Sequence, residues 1–497
     1  MIPLSLFSVN LLSDNLLLLA SALVFVAVLI TKVGVKLGAP SLLLFLLLGM
    51  AVGQDGLGIA FEDYELADNI GHFAMTVILF TGGFETVLKE TKPVMKRGIM
   101  LSTVGVVLTV ALTGLFIYLV GGSLITGTAV SFIAALLIAS VLSSTDSTSV
   151  FSVLNGKRLR LRNNLGPLLE LESGSNDPLA YTLTILTVKF LTDPVLQGRG
   201  TAAGIVAGIV VVIIQLAVGV GVGFGVGYGA KWLLSRIKLD NNALMGILIL
   251  STGFFANGLA SLLGGQGLLS IYITAVIISN KADIQRKKEI AKFFDGITWI
   301  MQLAMFLILG LMARPSHMLP VLFPAILTGL FLIFVARPLS VFLTLAPFKG
   351  IKFKEKLFVS WVGLKGAGPI LFALYPVVHE VQGSAEIFNI VFVVSLMSLL
   401  LQGMSLRPVA QWLNLSYPED PEVESFGMEL PEEMGMLSDH VVSEDDLAGG
   451  KTLREMHLPH GIRVMMVRRD GRFLVPHGSM ELAAGDHLII VMGESDD

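Results

Sequence analysis

A run of acidic and polar residues, Glu170 to Asp177, lies inside an apolar segment that is long enough to cross a membrane. A carboxylate at bilayer depth costs at least a few kcal/mol, so an acid in this position is a candidate for function. Ser173 and Asp177 are four residues apart and share one helical face, with Asn176 beside them. Oxygen ligands of this kind suit a hard monovalent cation or a proton.

Asp177 is the candidate carrier of the transported ion. A desolvated carboxylate can hold a proton or a dehydrated cation, but not both. Competition for one carboxylate is therefore enough to couple two opposed fluxes. Because Asn176 adds no charge, the site has one exchangeable acid, which predicts one-for-one, electroneutral exchange.

Two further segments place polar or helix-breaking residues inside apolar spans. Hydroxyl side chains surround Asp146 in the run from Ser143 to Ser149 and compete for backbone hydrogen bonds. Glycine and proline interrupt a later span around Lys365, from Gly363 to Pro369. Such breaks expose the ends of half-helices, where Asp146 can offset positive ends and Lys365 negative ends. The hydroxyls at 147–149 fit an ion site and simple helix packing equally well.

The composition places the chain in a lipid bilayer. Of its 497 residues, 54% are hydrophobic and 14% are charged, whereas soluble domains carry about 25% charged residues. The net charge of −4 does not indicate nucleic acid binding, and the absence of cysteine excludes disulfides and Cys-ligated metals. The His residues form no ligand cluster, no nucleophile–base pair is visible, and no cleaved signal peptide is predicted. We therefore expect a membrane protein in contact with lipid, without a cofactor, and not an enzyme.

Apolar runs separated by short polar turns predict an all-α polytopic membrane protein with about 13 transmembrane helices. The approximate limits of these spans are 14–31, 38–53, 69–88, 98–119, 127–154, 164–191, 201–230, 243–262, 267–280, 293–312, 320–346, 357–377 and 386–411. The two broken spans are the fifth and the twelfth. If spans 1–6 and 8–13 are inverted six-helix repeats, the two broken spans occupy corresponding positions in the two repeats. Paired broken helices that cross near the midplane are typical of transporters.

Basic residues predict the orientation of the chain. Each connection after an odd-numbered span carries two to five Lys or Arg residues, whereas the connections after even-numbered spans hold only Arg199 and Arg314. Because basic loops stay in the cytoplasm, we expect a periplasmic N-terminus and a cytoplasmic C-terminal tail.

The remaining charges in the spans are expected to pair with each other or to lie near the membrane surface. Arg337 is the only Arg deep in a predicted span, so we pair it with Glu172 as a structural ion pair. Glu170 is expected near the cytoplasmic mouth, and its role in transport stays open. Glu85 ends the third span near Lys89 and is expected to be an interfacial charge, with its role also open.

The composition of the chain changes from apolar to acidic and polar after the last span. We predict a transmembrane domain over residues 1–413, an acidic linker over 414–440 and a small α+β cytoplasmic domain over 441–497. Within the last domain, a helix is predicted at 451–456, and strands are predicted at 441–442, 463–467, 472–475 and 488–491, with a hairpin turn at 469–471. About 60 residues are marginal for an independent fold, so this domain is expected to dimerise or to dock on the membrane part.

Three motifs resemble those of the NhaP-type cation/proton antiporters, relatives of the animal sodium/proton exchangers. In chain order they are Ser144-Thr145-Asp146, Glu172-Ser173-Gly174-Ser175-Asn176-Asp177-Pro178 and Trp361-Val362-Gly363-Leu364-Lys365-Gly366-Ala367. The resemblance covers the predicted spans, residues 14–411. Lys365 stands where many relatives have Arg, so bidentate contacts are lost there, and Thr81 stands where many relatives carry a third-span acid.

The resemblance implies a role for each of these residues. It implies that Asp177 carries the ion and that a monovalent cation binds at Asp177 and Asp146, with oxygens from Thr145 and Ser173. Asn176 belongs to the same ion-binding set, and the Glu172–Arg337 ion pair is also a family feature. The resemblance further implies a homodimer in which a core domain moves against a dimerisation domain.

The tail, residues 441–497, resembles the C-terminal subdomain of regulator-of-potassium-conductance modules. Such modules bind small regulatory ligands, in some cases nucleotides, although this tail has no Gly-rich dinucleotide fingerprint. The combination resembles the potassium/proton antiporters of bacterial inner membranes. We therefore predict electroneutral K+/H+ exchange, with cation efflux against proton entry, regulated by the tail. The alternatives are the same mechanism with Na+ or Li+, a ligand-gated cation channel, and a membrane sensor without transport.

Overall fold

The structure, a computed structural model, describes residues 16–37, 40–124, 130–146, 161–193, 201–237, 241–284, 286–416, 437–442, 446–447, 450–455, 462–469 and 472–492. The chain divides into two compact units, Met1–Tyr417 and Pro418–Asp497. The boundary between them falls inside the predicted linker, 414–440. Ser147, Thr148 and Ser149 lie outside the described residues, as does the rest of the predicted fifth span beyond Asp146.

The described part of the first unit is helical. Its helices in chain order are α1 (Leu16–Leu37), α2 (Ser41–Val52), α3 (Tyr64–Glu85), α4 (Leu88–Thr91), α5 (Met95–Met100, a π-helical Leu101–Gly105, then Val106–Leu124), α6 (Phe132–Val141), α7 (Leu165–Thr192), α8 (Thr201–Leu234), α9 (Asn242–Leu262), α10 (Gly267–Lys281), α11 (Lys287–Met312), α12 (Pro315–Met318, a 3-10 turn Leu319–Val321, Leu322–Phe331, a π-helical Leu332–Ala336, then Arg337–Thr344), α13 (Phe353–Trp361), α14 (Ala367–Phe372), α15 (Leu374–Val378) and α16 (Ser384–Ser398, a π-helical Leu399–Gly403, then Met404–Trp412).

Six helices in the described ranges are long and apolar enough to cross a membrane. They are Met95–Val120, Val206–Leu234, Asn242–Leu262, Lys287–Met312, Pro315–Thr344 and Ser384–Trp412. Shorter apolar helices, such as α2 and α6, accompany them. The expected helical membrane fold is therefore confirmed, whereas the count of thirteen crossings and the inverted repeats stay predictions.

Two helices end at the polar segments, and an interruption of irregular residues follows each of them. Helix α6 ends at Val141, and residues 144–146 have no regular structure. Helix α13 ends at Trp361, and regular helix resumes only at Ala367. The two interruptions meet, because the Asp146 N–H donates a hydrogen bond of 2.9 Å to the Leu364 carbonyl oxygen. Backbone groups that the helices leave without partners are thus satisfied by the other interruption.

The helices form two groups that pack more within themselves than with each other. The first group comprises α1, α2, α3, α8, α9, α10 and α11, and the second comprises α5, α6, α7, α12, α13, α14 and α16. Helix α7 of the second group lies against α3 and α10 of the first. The face of α7 that carries the acidic run therefore lies near the boundary between the groups.

Glycine allows close helix packing inside the first group. A Cβ at Gly219 of α8 would lie 2.5 Å from the Gln266 carbonyl oxygen. A Cβ at Gly223 would lie 2.9 Å from the Ser270 carbonyl oxygen on α10. Both distances are too short for any residue with a side chain, so this face of α8 packs against α10 of the same chain.

The second unit contains a four-stranded antiparallel sheet with strand order β1-β4-β2-β3. The strands are β1 (Leu437–Val441), β2 (Ile462–Arg469), β3 (Arg472–Leu474) and β4 (His487–Met492). Burial raises the pKa of the Asp486 carboxyl, but hydrogen bonds from Arg469 outweigh this effect and hold the pKa below its usual value. The ionised pair attaches β2 to the turn that precedes β4.

The sequence predictions for this unit need two corrections. Strand β1 begins at Leu437, so it starts within the predicted linker and ends where the domain was expected to begin, at 441. Residues 451–455 form turns, not the predicted helix. Their backbone pairs with a neighbouring segment, since Leu453 N–H donates to Met480 O (2.9 Å) and Leu482 N–H donates to Lys451 O (2.8 Å). Within the described residues of this unit there is a sheet and no helix, so the α+β expectation is not confirmed there.

Candidate functional site

Asp177 lies on α7 with its side chain almost completely buried, at 8% exposure. The Ser144 hydroxyl donates a hydrogen bond of 2.5 Å to Asp177 Oδ1. Ser144 belongs to the interruption after α6. Asp177, the candidate carrier, is therefore hydrogen-bonded to the segment where the two interruptions meet. Pro178 follows Asp177 directly inside the helix.

The neighbouring polar residues of α7 bind the same interruption. Thr145 Oγ1 lies 3.2 Å from Ser173 Oγ, and Asn176 Nδ2 donates to Thr145 Oγ1. Asn176 is fully buried, and its Oδ1 has no hydrogen-bond partner in the described part of the chain. The structure therefore brings Asp177, Ser173, Asn176 and Thr145 together and leaves one buried amide oxygen for a further interaction.

Asp146 lies directly against the second interruption. A Cβ at Gly366 would lie 1.8 Å from Asp146 Oδ2. Only glycine allows the carboxylate to approach the backbone there, immediately before α14. Asp146 also lines the cavity described below, so its carboxylate can reach both the backbone of the break and an ion near Asp177.

Lys365 is completely enclosed, at 1% exposure. Its Nζ donates to the carbonyl oxygens of Ser144 (2.8 Å) and Ser143 (3.3 Å), and its own N–H donates to Ser398 Oγ (2.9 Å). The ammonium thus lies at the C-terminal end of α6, where carbonyl groups without helical partners carry partial negative charge.

Glu172 and Arg337 form a buried ion pair between α7 and α12. The exposures of their side chains are 1% and 4%. A Cβ at Gly363 would lie 2.7 Å from Arg337 Nε, so the guanidinium also packs on the second interruption. Neither Glu172 nor Arg337 lines the cavity.

A cavity of about 50 Å³ lies between the two groups of helices. Its lining residues are Met75, Ile78, Leu79, Gly82, Tyr272 and Met305 from the first group, and Ser144, Asp146, Glu170, Gly174, Asp177, Ala367 and Gly368 from the second. A site needs about 10–15 Å³ to hold one water molecule, so this cavity can hold a cation with part of its hydration shell. All the lining carboxylates belong to the second group.

The cavity extends along one face of α7. On α7 it is lined by Glu170, Gly174 and Asp177, which lie on one face of the helix. One turn further along, the Tyr181 ring packs against His72 at 4.8 Å and against Phe372 at 5.1 Å, measured between ring centroids. These rings do not line the cavity, whose lining on α7 extends from Asp177 toward the start of the helix.

Sequence reasoning missed some of the residues that line or shape the site. Ser144 lies in the hydroxyl run and in the Ser-Thr-Asp motif, but no role is predicted for it from the sequence. Gly366 was interpreted as a helix breaker and not as a contact surface for Asp146. Tyr272 lies in an ordinary apolar helix. In contrast, Glu85 is exposed and does not line the cavity, and Thr81 is buried in a hydrogen bond with Thr298 (2.8 Å).

The donor set can hold a hard monovalent cation. Carboxylate, hydroxyl and amide oxygens lie around the cavity and beside it, and the Ser144 hydroxyl contacts Asp177 directly. Within the described residues, no cluster of three or more His, Cys, Asp or Glu side chains could hold a metal ion.

Comparison with known proteins gives matches over both units. The family described as sodium/hydrogen exchanger, transmembrane, matches residues 20–412, and the TrkA-C domain family matches residues 437–496. The chain is 34% identical to the K(+)/H(+) antiporter NhaP2 of Shewanella oneidensis, over 97% of this chain and 81% of the relative. It is 32% identical to the K(+)/H(+) antiporter NhaP of Alkalimonas amylolytica, over 97% of this chain and 82% of the relative.

The fold is similar to that of a solved structure. The sodium proton antiporter MjNhaP1 from Methanocaldococcus jannaschii, determined at pH 8, aligns with a TM-score of 0.68 and 22% sequence identity. The alignment covers 81% of this chain and 99% of that chain. At this identity the likeness establishes the fold of the membrane unit.

Proposed function

Because the chain belongs to the sodium/hydrogen exchanger family, we propose that it exchanges a monovalent cation for protons across a membrane and that potassium is its preferred cation. It is a transporter and not an enzyme. The names of the relatives that match nearly the whole chain support potassium. Sodium or lithium in the same mechanism is the alternative, since the family itself is described as a sodium/hydrogen exchanger.

One observation carries this proposal. Asp177 is a buried carboxylate that faces a cavity at the point where two interrupted helices meet. A carboxylate removed from water is stable only with a proton or a cation beside it. The cavity gives both species access to the same oxygen atoms.

The exchange cycle follows from this competition. In the state open toward the start of α7, Asp177 releases its proton and binds the cation, assisted by Asp146 and the oxygens of Thr145, Ser173 and Asn176. The loaded second group then shifts against the first, and the cation leaves on the other side. A proton then binds to Asp177 in its place, and the second group shifts back and carries the proton to the first side. One positive charge crosses in each direction, so the exchange is electroneutral.

The other buried charges hold the interrupted helices in place. Lys365 balances the C-terminal end of α6 through its bonds to Ser143 and Ser144. The Glu172–Arg337 pair joins α7 to α12 without facing the cavity. We assign these three residues structural roles, because each charge is already balanced by protein groups.

The topology and assembly belong to the same proposal. Thirteen crossings with inverted repeats would place the basic connections in the cytoplasm of a bacterial inner membrane, with the N-terminus in the periplasm. The start of α7 then faces the cytoplasm, since it follows the basic run Lys157–Arg162. A homodimer in lipid and a small regulatory ligand on the C-terminal domain complete the proposal, and the TrkA-C match supports the last.

A proteoliposome assay with a trapped pH dye tests the function. Potassium, sodium, lithium and choline salts are added in turn, with and without a membrane voltage set by an ionophore that does not carry potassium. Proton movement with potassium that is insensitive to voltage and falls to background in Asp177→Asn is the expected result. Proton movement with sodium or lithium alone would show that these ions, and not potassium, are the transported cations. Cation flux without proton movement would indicate a channel and refute antiport.

A further inference from the structure

Of the three carboxylates that line the cavity, Glu170 is the one whose function the exchange cycle leaves open. We propose that Glu170, together with the hydroxyls of Thr86 and Tyr272, forms a capture site where a cytoplasmic cation binds before it reaches Asp177. This inference rests on the proposed antiport function and on the predicted orientation. It assigns a cation pathway that enters at the start of α7.

Glu170 and Asp177 lie on the same face of α7 and line the same cavity. They are seven residues apart, which places them two helical turns, or about 10 Å, from each other along the axis. This distance allows a cation to move from one carboxylate to the other in a single short step. It is too long for one ion to contact both.

Glu170 differs from Glu172 in how its charge is balanced. Glu172 is paired with Arg337 and faces away from the cavity. Glu170 has no ion-pair partner among the residues that the structure describes, and its hydrogen bond comes from a neutral hydroxyl, Thr86. A partly buried carboxylate that faces a cavity without a basic partner attracts a mobile cation.

The oxygens around Glu170 can rearrange to bind an ion. Thr86 Oγ1 lies 2.9 Å from Glu170 Oε1, 3.3 Å from the Tyr272 hydroxyl and 2.8 Å from the Gly82 carbonyl oxygen. A hydroxyl has one proton to donate and two lone pairs. If Thr86 donates its proton to the Gly82 carbonyl oxygen, lone pairs of Thr86 Oγ1, the Tyr272 hydroxyl and the Glu170 carboxylate become available to a cation. Together these oxygens carry one negative charge. The protein can therefore bind a cation there by rotating one hydroxyl, without moving its backbone.

Tyr272 separates this capture site from the Asp177 site. Gly174 lies between the two carboxylates on α7, and a Cβ there would lie 2.7 Å from Tyr272 Cε2 and 3.3 Å from its hydroxyl oxygen. The ring therefore packs directly on the helix backbone. Gly174 and Tyr272 both line the cavity, so a cation that moves from Glu170 to Asp177 passes beside the hydroxyl and the ring edge of Tyr272.

The test measures the apparent Michaelis constant for potassium on the cytoplasmic face, in everted vesicles that hold the full-length protein. Glu170→Gln removes the charge and keeps the shape. We expect the constant to rise by about tenfold, as for the loss of a charged ligand, with the maximal rate unchanged within about twofold. Thr86→Val and Tyr272→Phe each remove one oxygen without changing charge and should raise the constant less, whereas Thr86→Ser should not raise it.

Glu90→Gln is the matched control. Glu90 lies on α4 near Glu170, is exposed and does not line the cavity, so this variant changes the cytoplasmic charge equally. Raising the ionic strength with choline chloride should leave the Glu170→Gln effect intact, because screening removes long-range attraction and not a direct contact.

Three results would overturn the capture site. They are a normal Michaelis constant in Glu170→Gln, an equal effect in Glu90→Gln, and a loss of maximal rate without a change in the constant. Tyr272→Phe gives an independent result if Glu170→Gln does not fold. Failure of the antiport proposal would appear in the wild type, whereas failure of this inference would appear only in the variants.

Discussion

At the scale of single residues, the site contains two kinds of charged group. Some are already balanced by other protein groups, and others remain available to a transported ion. Lys365 and the Glu172–Arg337 pair are balanced by protein groups. Within the described part of the chain, Asp177 receives a hydroxyl hydrogen bond from Ser144 on its Oδ1 and has no basic side chain bonded to it. An ion that must enter and leave needs the second kind of group, which is why we assign transport to Asp177 and support to the others.

The variant Glu172→Gln tests this division. Removal of one partner leaves the Arg337 charge buried without compensation, so we expect about 3–5 kcal/mol of destabilisation. The apparent Michaelis constant for potassium should stay within about twofold of the wild type, because this residue does not face the cavity. Thermal unfolding of the purified protein and the dye assay measure the two quantities.

The double variant Glu172→Gln/Arg337→Gln is the control for this prediction. Because it buries no charge at this place, it should be more stable than Glu172→Gln alone. A loss of potassium affinity in Glu172→Gln without a loss of stability would move Glu172 into the ion site.

Part of the site could be predicted from the sequence, because charges are rare in apolar segments. Glu172, Asp177 and Arg337 stand out for this reason, and Glu172 and Arg337 are in contact in the structure. Ser144 and Gly366 could not be selected in the same way. Their roles depend on which atoms the crossing of two distant segments brings together, and hydroxyls and glycines are common in membrane helices.

At the scale of secondary structure elements, the site is built by two helices that stop inside the unit. The Asp146 N–H binds the Leu364 carbonyl oxygen, and Lys365 binds the last carbonyls around α6. Each interruption therefore supplies the partners that the other lacks. Hydrogen bonds between distant segments also explain why the helix predicted at 451–456 is wrong. There, residues 451–455 are hydrogen-bonded to the segment 480–482.

Lys365→Met should disturb this arrangement most. It leaves the Ser143 and Ser144 carbonyl oxygens without their buried donor, at about 1–3 kcal/mol for each unsatisfied group. We expect the maximal rate of cation-driven proton movement in proteoliposomes to fall by at least about tenfold. Lys365→Arg keeps the charge and should retain measurable exchange.

Lys89→Met is the matched control, since Lys89 is exposed and does not line the cavity. It should exchange at the wild-type rate. Normal exchange in Lys365→Met would show that the ends of the interrupted helices need no buried cation.

At the scale of the whole molecule, the cavity lies between two groups of helices, and its carboxylates all belong to one of them. This distribution allows the ion and its ligands to move together. The sheet unit is compact by itself, and the residues that line the cavity all belong to the first unit. The sequence indicated both parts through hydropathy and composition, but it could not show which helix faces enclose the cavity.

Truncation after Tyr417 tests the independence of the two units. Because the residues of the ion site all lie in the first unit, the shortened protein should still exchange potassium for protons. Its response to regulatory ligands of the tail should be lost. The dye assay, with size-exclusion chromatography to establish folding, measures this. A well-folded but inactive truncation would make the tail part of the transport machinery.

Competition at Asp177 is the central claim, and one measurement tests it most directly. Tracer potassium uptake is followed in proteoliposomes with equal pH on both sides, over a range of pH values. If one carboxylate binds either ion, the apparent Michaelis constant for potassium should rise by up to about tenfold for each unit of pH decrease, at a constant maximal rate. A maximal rate that falls with pH while the Michaelis constant stays the same would show that protons and potassium bind at separate sites.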